Sequence, residues 1–123
     1  MEVPLPLGDV LDRITILRIK VRRIEDVAKR LHARRELKLL ERRWSMLGYG
    51  RLPEEGELEG VNEMLWEVED RLRAMEARQD FDEDFVEAAR SVYRLNDRRA
   101  ALKAAVNEAL DSELVEVKSY HSY

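Results

Sequence analysis

The chain has 123 residues, a length suited to one domain, with 45% apolar and 39% charged residues and a net charge of −4. It has no cysteine, which excludes disulfides, thiolate metal sites and cysteine nucleophiles and fits a reducing, cytoplasmic setting. No apolar run approaches the roughly 20 residues that span a bilayer, and Val3–Leu7 is too short and lacks the cationic start of a signal peptide.

Residues 1–7 read as an extended arm. Pro4 and Pro6 cannot donate to a helix ladder, and each pushes the residue before it toward extended backbone. Gly8-Asp9 opens a helix, with the Asp9 carboxylate at the positive end of the dipole. That first helix is predicted to run from about 9 to 47. Leu7, Val10, Ile14, Leu17, Val21, Ile24, Ala28 and Leu31 alternate at spacings of three and four, a heptad seam. After a phase slip the pattern resumes at Ala33, Leu37, Leu40, Trp44 and Leu47, which predicts a bend in a continuous helix. Leu11, Ile16 and Ile19 lie off the seam, so this stretch needs neighbours on more than one side.

Gly48-Tyr49-Gly50 and Pro53-Glu54-Glu55-Gly56 punctuate a loop. A second helix is predicted from about 57 to 78, with Leu58, Val61, Leu65, Val68, Leu72 and Met75 on its seam. Asp80 with Glu83 spells a capping box, whereas Asp82 as the cap would let Phe81 staple onto Val86. A third helix then runs from about 82 to 110, its seam formed by Phe85, Ala88, Val92, Leu95, Arg99, Leu102, Val106 and Ala109. Asp111-Ser112 closes it, and 113–123 reads as a tail beside the proline arm. The expected fold is all-α: an antiparallel, coiled-coil-like three-helix bundle with one long N-terminal helix, an extended arm and a tail. The overhang of the long helix would expose Leu37, Leu40 and Trp44, which predicts a homodimer associating there.

Charge is unevenly placed. Residues 18–43 hold eleven Lys/Arg against four acids, and residues 54–87 hold fourteen acids against three arginines. The two segments are expected to face each other, within a chain or across a dimer. Arg99 occupies a seam position, where a buried cation needs a partner; Asp12, Glu69 and Asp97 are the candidates. Asp12, Thr15 and Lys20 lie in the most apolar part of the first helix, Asn62, Trp66, Glu69 and Asp70 lie on the second, the first three along one flank of its seam, and Tyr93, Asn96, Asp97, Arg98 and Lys103 lie on the third helix. Together with Arg99 they form a candidate polar site between helices, either a ligand site or a set of ion pairs that fixes alignment.

Glu63, Glu67 and Asp70 share a helix face, as a divalent-cation site would require, but Glu67 points away from the inner seam and a solvated acidic face accounts for them. Asp80-Phe81-Asp82-Glu83-Asp84 starts like a calcium loop, yet Phe85 stands where glycine is required. No metal or cofactor is therefore expected. His32 and His121 belong to no catalytic or ligand pattern.

Several stretches resemble a bacterial family of small domains of unknown function: Gly8-Asp9-Val10-Leu11-Asp12-Arg13-Ile14-Thr15-Ile16-Leu17-Arg18-Ile19-Lys20, then Asn62 with Leu65-Trp66 and Glu69-Asp70, then Ala89–Arg94 with Asn96-Asp97-Arg98-Arg99-Ala100, then Ser112–Glu116 with Lys118-Ser119-Tyr120. The resemblance spans nearly the whole chain. Members carry Gly-Glu-Leu-x-Asp-Lys at the start, where this chain has Asp9 and Arg13, and often a proline near position 27, whose absence here favours an unbroken first helix. The resemblance implies an accessory role, since related domains stand alone or beside glycosyltransferases and tetratricopeptide proteins of cell-surface glycan pathways. It carries over no catalytic residues. Its recurrent residues map onto Asp12, Thr15, Lys20, Asn62, Trp66, Glu69, Tyr93, Asn96, Asp97 and Arg98, the set that helical spacing also brings together.

Three functions follow as expectations. The leading one is a non-enzymatic interaction or assembly module with a protein partner, accessory to envelope glycan synthesis. The alternative is a binder of anionic metabolites, or an enzyme of the all-α chorismate-mutase type, using Arg13, Lys20, Arg98 and Arg99 with Glu69 and Asp97 to orient them. The third is a nucleic-acid binder through residues 18–43, disfavoured by the negative net charge and the lack of interleaved aromatics.

Overall fold

The structure, a computed structural model, describes residues 6–117 and their side chains through Leu110. Four helices follow one another: α1 (Leu7–Arg23), α2 (Val27–Leu47), α3 (Pro53–Ala77) and α4 (Glu83–Val117). The described residues contain no strand.

The long first helix of the sequence reading is two helices. At Ile24 the backbone turns extended (φ −76°, ψ 125°), and Asp26 caps the next helix, its carboxylate accepting from the Lys29 amide at 3.1 Å. The apolar seam explains the break. Ile24 is its last half-buried member, while Ala28 and Leu31 are exposed and packing resumes only at Ala33, which is buried. Continuing the heptad through Ala28 and Leu31 joined two separate stripes. Val27 is the first residue of α2, the one helical position that tolerates proline, so the break does not need one.

From this turn α2 folds back along α1. Leu17 and Ile24 share a cleft with Ala28 and Ala33 near the turn, and Leu11 and Ile14 share one with Trp44 at the far end. No overhang remains: Leu37, Leu40 and Trp44 are half-buried, and Trp44 packs against the core cluster with its ring 6.1 Å from that of Tyr49. The indole Nε1 is buried without a protein acceptor.

The helix α1 is the hub. It packs against α2, α3 and α4, whereas α2 packs against α1 alone among the described helices. Residues off the heptad seam are accordingly enclosed, with Leu11 and Ile19 each 1% exposed. The main core joins Leu11 to Leu58, Val61 and Leu65 of α3 and Leu102, Val106 and Leu110 of α4. Leu110 is buried where the heptad reading placed Ala109, which is exposed. A straight helix drifts by about 20° per heptad, so the inner position moves from a three- to a four-residue step.

Helix ends depart from expectation for local reasons. The third helix starts at Pro53 rather than 57, because proline suits the first helical position and Glu54-Glu55 suit the positive end of the dipole. It ends in a Schellman motif, with the Asp80 amide donating to Met75 O and the Gln79 amide to Glu76 O, and Gln79 in the left-handed region at φ 55°. Asp82 caps α4 by accepting from the Asp84 and Phe85 amides, and Phe81 packs edge-on against Phe85 at 5.1 Å and shares a cleft with Val86. Asp111-Ser112 does not close α4, which continues to Val117. Most of the proline arm and the end of the tail, with the packing expected between them, lie outside the described residues.

Candidate functional site

The polar residues of α1 and α4 meet in register. Gly8, Asp9 and Asp12 face Asn107, Lys103 and Arg99, an antiparallel zipper along the seam between the helices. At its N-terminal end the Gly8 amide donates to Asn107 Oδ1 at 2.6 Å. A Cβ on Gly8 would lie 2.3 Å from Lys103 O, so only glycine lets the backbones approach this closely. One turn on, Lys103 Nζ lies 2.8 Å from Asp9 Oδ1.

The inner end is a closed quartet. Arg99 grips Asp12 with both arms of its fork, Nε to Oδ1 at 2.9 Å and Nη2 to Oδ2 at 2.6 Å. Asn62 donates through Nδ2 to Asp12 Oδ1 and to Thr15 Oγ1, both at 2.9 Å, and Thr15 returns its hydroxyl proton to Asp12 O at 2.8 Å. Asp12, Thr15 and Asn62 are all buried, and the Arg99 side chain is 30% exposed. Burial by itself would raise the Asp12 carboxyl pKa. Hydrogen bonds from Arg99 and Asn62, with the charges of Arg99 and Lys103, outweigh it and hold the group below the ordinary carboxylate range. The Asp12 carboxylate raises the Arg99 guanidinium in turn, against the effect of its own burial, and Glu69 adds to that field. Every donor that reaches into this cluster meets an acceptor within it, and its hydrogen bonds tie α1, α3 and α4 together.

The remaining expected members lie apart. Tyr93 is 75% exposed, and Asn96, Asp97 and Arg98 share the solvent side of α4, with Arg98 bridging to Glu57 of α3 at 3.0 Å. Glu69 is exposed on α3 and Trp66 is half-buried. Lys20 lines the cleft between α1 and α2, on another side of the hub helix. Lys103, a member of the polar set read from the sequence, does enter this seam, whereas Gly8 and Asn107 are contacts that the sequence reading does not include. The signal available was the step of four from Arg99 to Lys103 to Asn107, a polar row beside an apolar seam.

A second charged system joins α1 to α3. Arg18 lies within reach of Glu41, Glu55 and Glu59, Arg22 of Glu59 and Glu63, and Arg23 of Glu63 and Glu67. The glutamates rise at intervals of four along one face of α3. Burial lowers the Arg18 pKa, but the hydrogen bonds to Glu55, Glu41 and Glu59 raise it by more. Hydrogen bonds from Arg23 depress Glu63. All three acids that share a face in the sequence thus form ion pairs, Glu63 and Glu67 with α1 and Asp70 with Arg73 of its own helix.

Within the chain, the expected meeting of basic and acidic segments is therefore made by α1 and not by α2. The two acids of α2, Glu36 and Glu41, turn to Arg13 and Arg18 of α1. Its seven cations, Lys29, Arg30, Arg34, Arg35, Lys38, Arg42 and Arg43, form no ion pair among the described residues. Most of them are exposed, as are Leu31 (44%), Leu39 (49%) and Met46 (80%).

No described helix is long and apolar enough to cross a membrane. No curated protein and no solved structure matches the chain. A family profile matches residues 1–123, and the chain, all-helical in its described part and gripped by the Asp12–Arg99 zipper, belongs to that family of unknown function, DUF6165.

Proposed function

We propose that this chain is a non-enzymatic interaction module that docks a partner through the outer face of α2. The observation that carries this reading is the face itself. Leu31, Leu39 and Met46 lie exposed among Arg35, Lys38 and Arg42, on a helix held to the body by its other side. Exposed apolar side chains interleaved with cations suit an acidic, partly apolar partner. The alternative of an anionic-metabolite site draws on Arg13, Lys20, Arg98 and Arg99, and three of these four are already neutralised, by Glu36, Glu57 and Asp12. The interaction reading is therefore the stronger of the two.

A photo-crosslinking residue placed at Leu39 or Met46, in cells producing the full chain, tests it. Discrete crosslinked species should form from these positions and not from exposed Ala101 on α4. Equal yields of such species from all three positions would refute docking at this face.

A further inference from the structure

Resting on that docking face, we infer that its occupant is a second copy of this chain, seated through the acidic corner between α3 and α4. The corner is the chemical complement of the α2 face and is present in the same molecule. Residues 80–87 contain five acids and no cation. Glu83 and Asp84 form no ion pair among the described residues, and both are exposed. Beside them Phe81 and Val86 stand 53% and 48% exposed. Each surface thus offers charge of one sign around apolar side chains that its own fold leaves uncovered.

The α2 face has a net charge of +5 over residues 27–47, and both of its acids point inward to α1. The acids that answer the basic segment within the chain, Glu55, Glu59, Glu63 and Glu67, are taken up by α1 arginines. The corner is the stretch where carboxylates without an ion pair among the described residues gather beside exposed apolar side chains, and the contact joins two different patches. It closes when two copies exchange it reciprocally and extends into a chain when they do not. This replaces the association at Leu37, Leu40 and Trp44 expected from the sequence, because those side chains are half-buried in the single chain and Trp44 packs against its core.

Charge exchange tests this pairing. One variant carries Arg35→Glu and Arg42→Glu, the other Glu83→Lys and Asp84→Lys; far-UV circular dichroism checks that both fold. Wild type should self-associate in sedimentation velocity at ~0.05 M salt and weaken at least about tenfold at ~0.5 M, because exposed charges are screened. Each variant alone should associate at least about tenfold more weakly than wild type, since its substitutions remove most of the charge from one of the two surfaces, from +5 to +1 over residues 27–47 or from −5 to −1 over residues 80–87. An equimolar mixture should associate again, because the unaltered corner of the first variant meets the unaltered α2 of the second.

A wild type that stays monomeric at low salt overturns the inference, and so does association that ignores salt and both reversals. A mixture that remains monomeric overturns it as well. Crosslinks from Leu39 to a different protein, with a monomeric purified chain, would sink the self-pairing and leave the docking face standing.

Discussion

The Asp12–Arg99 grip gives the sharpest test of how the helices are held. Replacing Asp12 by alanine removes the acceptor of three hydrogen bonds, one from Asn62 and two from Arg99. Asn62 keeps Thr15 Oγ1 as a partner, so the group left uncompensated is the Arg99 guanidinium. Breaking a fully buried pair in this way costs about 3–5 kcal/mol. Arg99 is 30% exposed and can turn partly to water, which brings the expected cost to about 2–3 kcal/mol. For a chain of this length that is a fall in Tm of roughly 6–15 °C. Arg94→Ala breaks an ion pair whose side chains are 65% and 63% exposed, and should cost at most about 0.5 kcal/mol. Urea unfolding followed by far-UV circular dichroism measures both. The double change Asp12→Leu with Arg99→Met should recover most of the loss, because apolar side chains of similar size replace the pair. Acid adds a signed check. The folded carboxyl lies below its unfolded value of about 3.9, so the unfolded chain binds the extra proton and the pair's stabilisation, complete above that value, is lost as pH falls through the folded one. Stability of Asp12→Asn should fall less steeply than wild type below pH ~4. If Asp12→Ala and Arg94→Ala cost the same, the zipper does not hold the bundle in register.

Three further substitutions probe the backbone. Gly8→Ala forces a Cβ to within 2.3 Å of Lys103 O and should cost at least about 2 kcal/mol in the same urea assay; a neutral result would mean that α1 and α4 are farther apart. Gln79→Gly relieves a left-handed residue at the end of α3 and should stabilise by up to about 1 kcal/mol, and a loss would contradict the Schellman turn. Val27→Pro should be neutral or stabilising by up to about 1 kcal/mol, since it sits at the first position of α2 after an extended Asp26; a loss near the ~3 kcal/mol of a proline inside a helix would favour the unbroken helix instead.

Periodicity made the helical class legible, along with the inner faces of α3 and α4, where one unbroken apolar stripe belongs to one helix. It misread α1 and α2 because two antiparallel helices joined by a three-residue turn each carry a stripe, and a three-four rhythm can be threaded through the join. Ala28 and Leu31 fit that rhythm and are nevertheless exposed. The physical marker was Asp26: an aspartate with no apolar duty, placed to cap the residues after it, is a helix start, and it weighs more than the lack of proline.

The polar site divides along the same line. Asp12 was found among the candidate partners of Arg99 because a cation on an apolar seam must be answered from a facing seam, and few carboxylates lie there. Tyr93, Asn96, Asp97 and Arg98 share a short stretch of sequence with Arg99 but not its direction, since on a helix the faces of residues 93 to 98 diverge by the angle that brings Arg99 inward. Spacing can rank which polar residues go inside; it cannot say whether the inward group ends on a partner or on open space. Here Arg99 ends on Asp12, and among the described residues the densest row of cations without an ion pair lies on α2, the face on which the proposed docking rests.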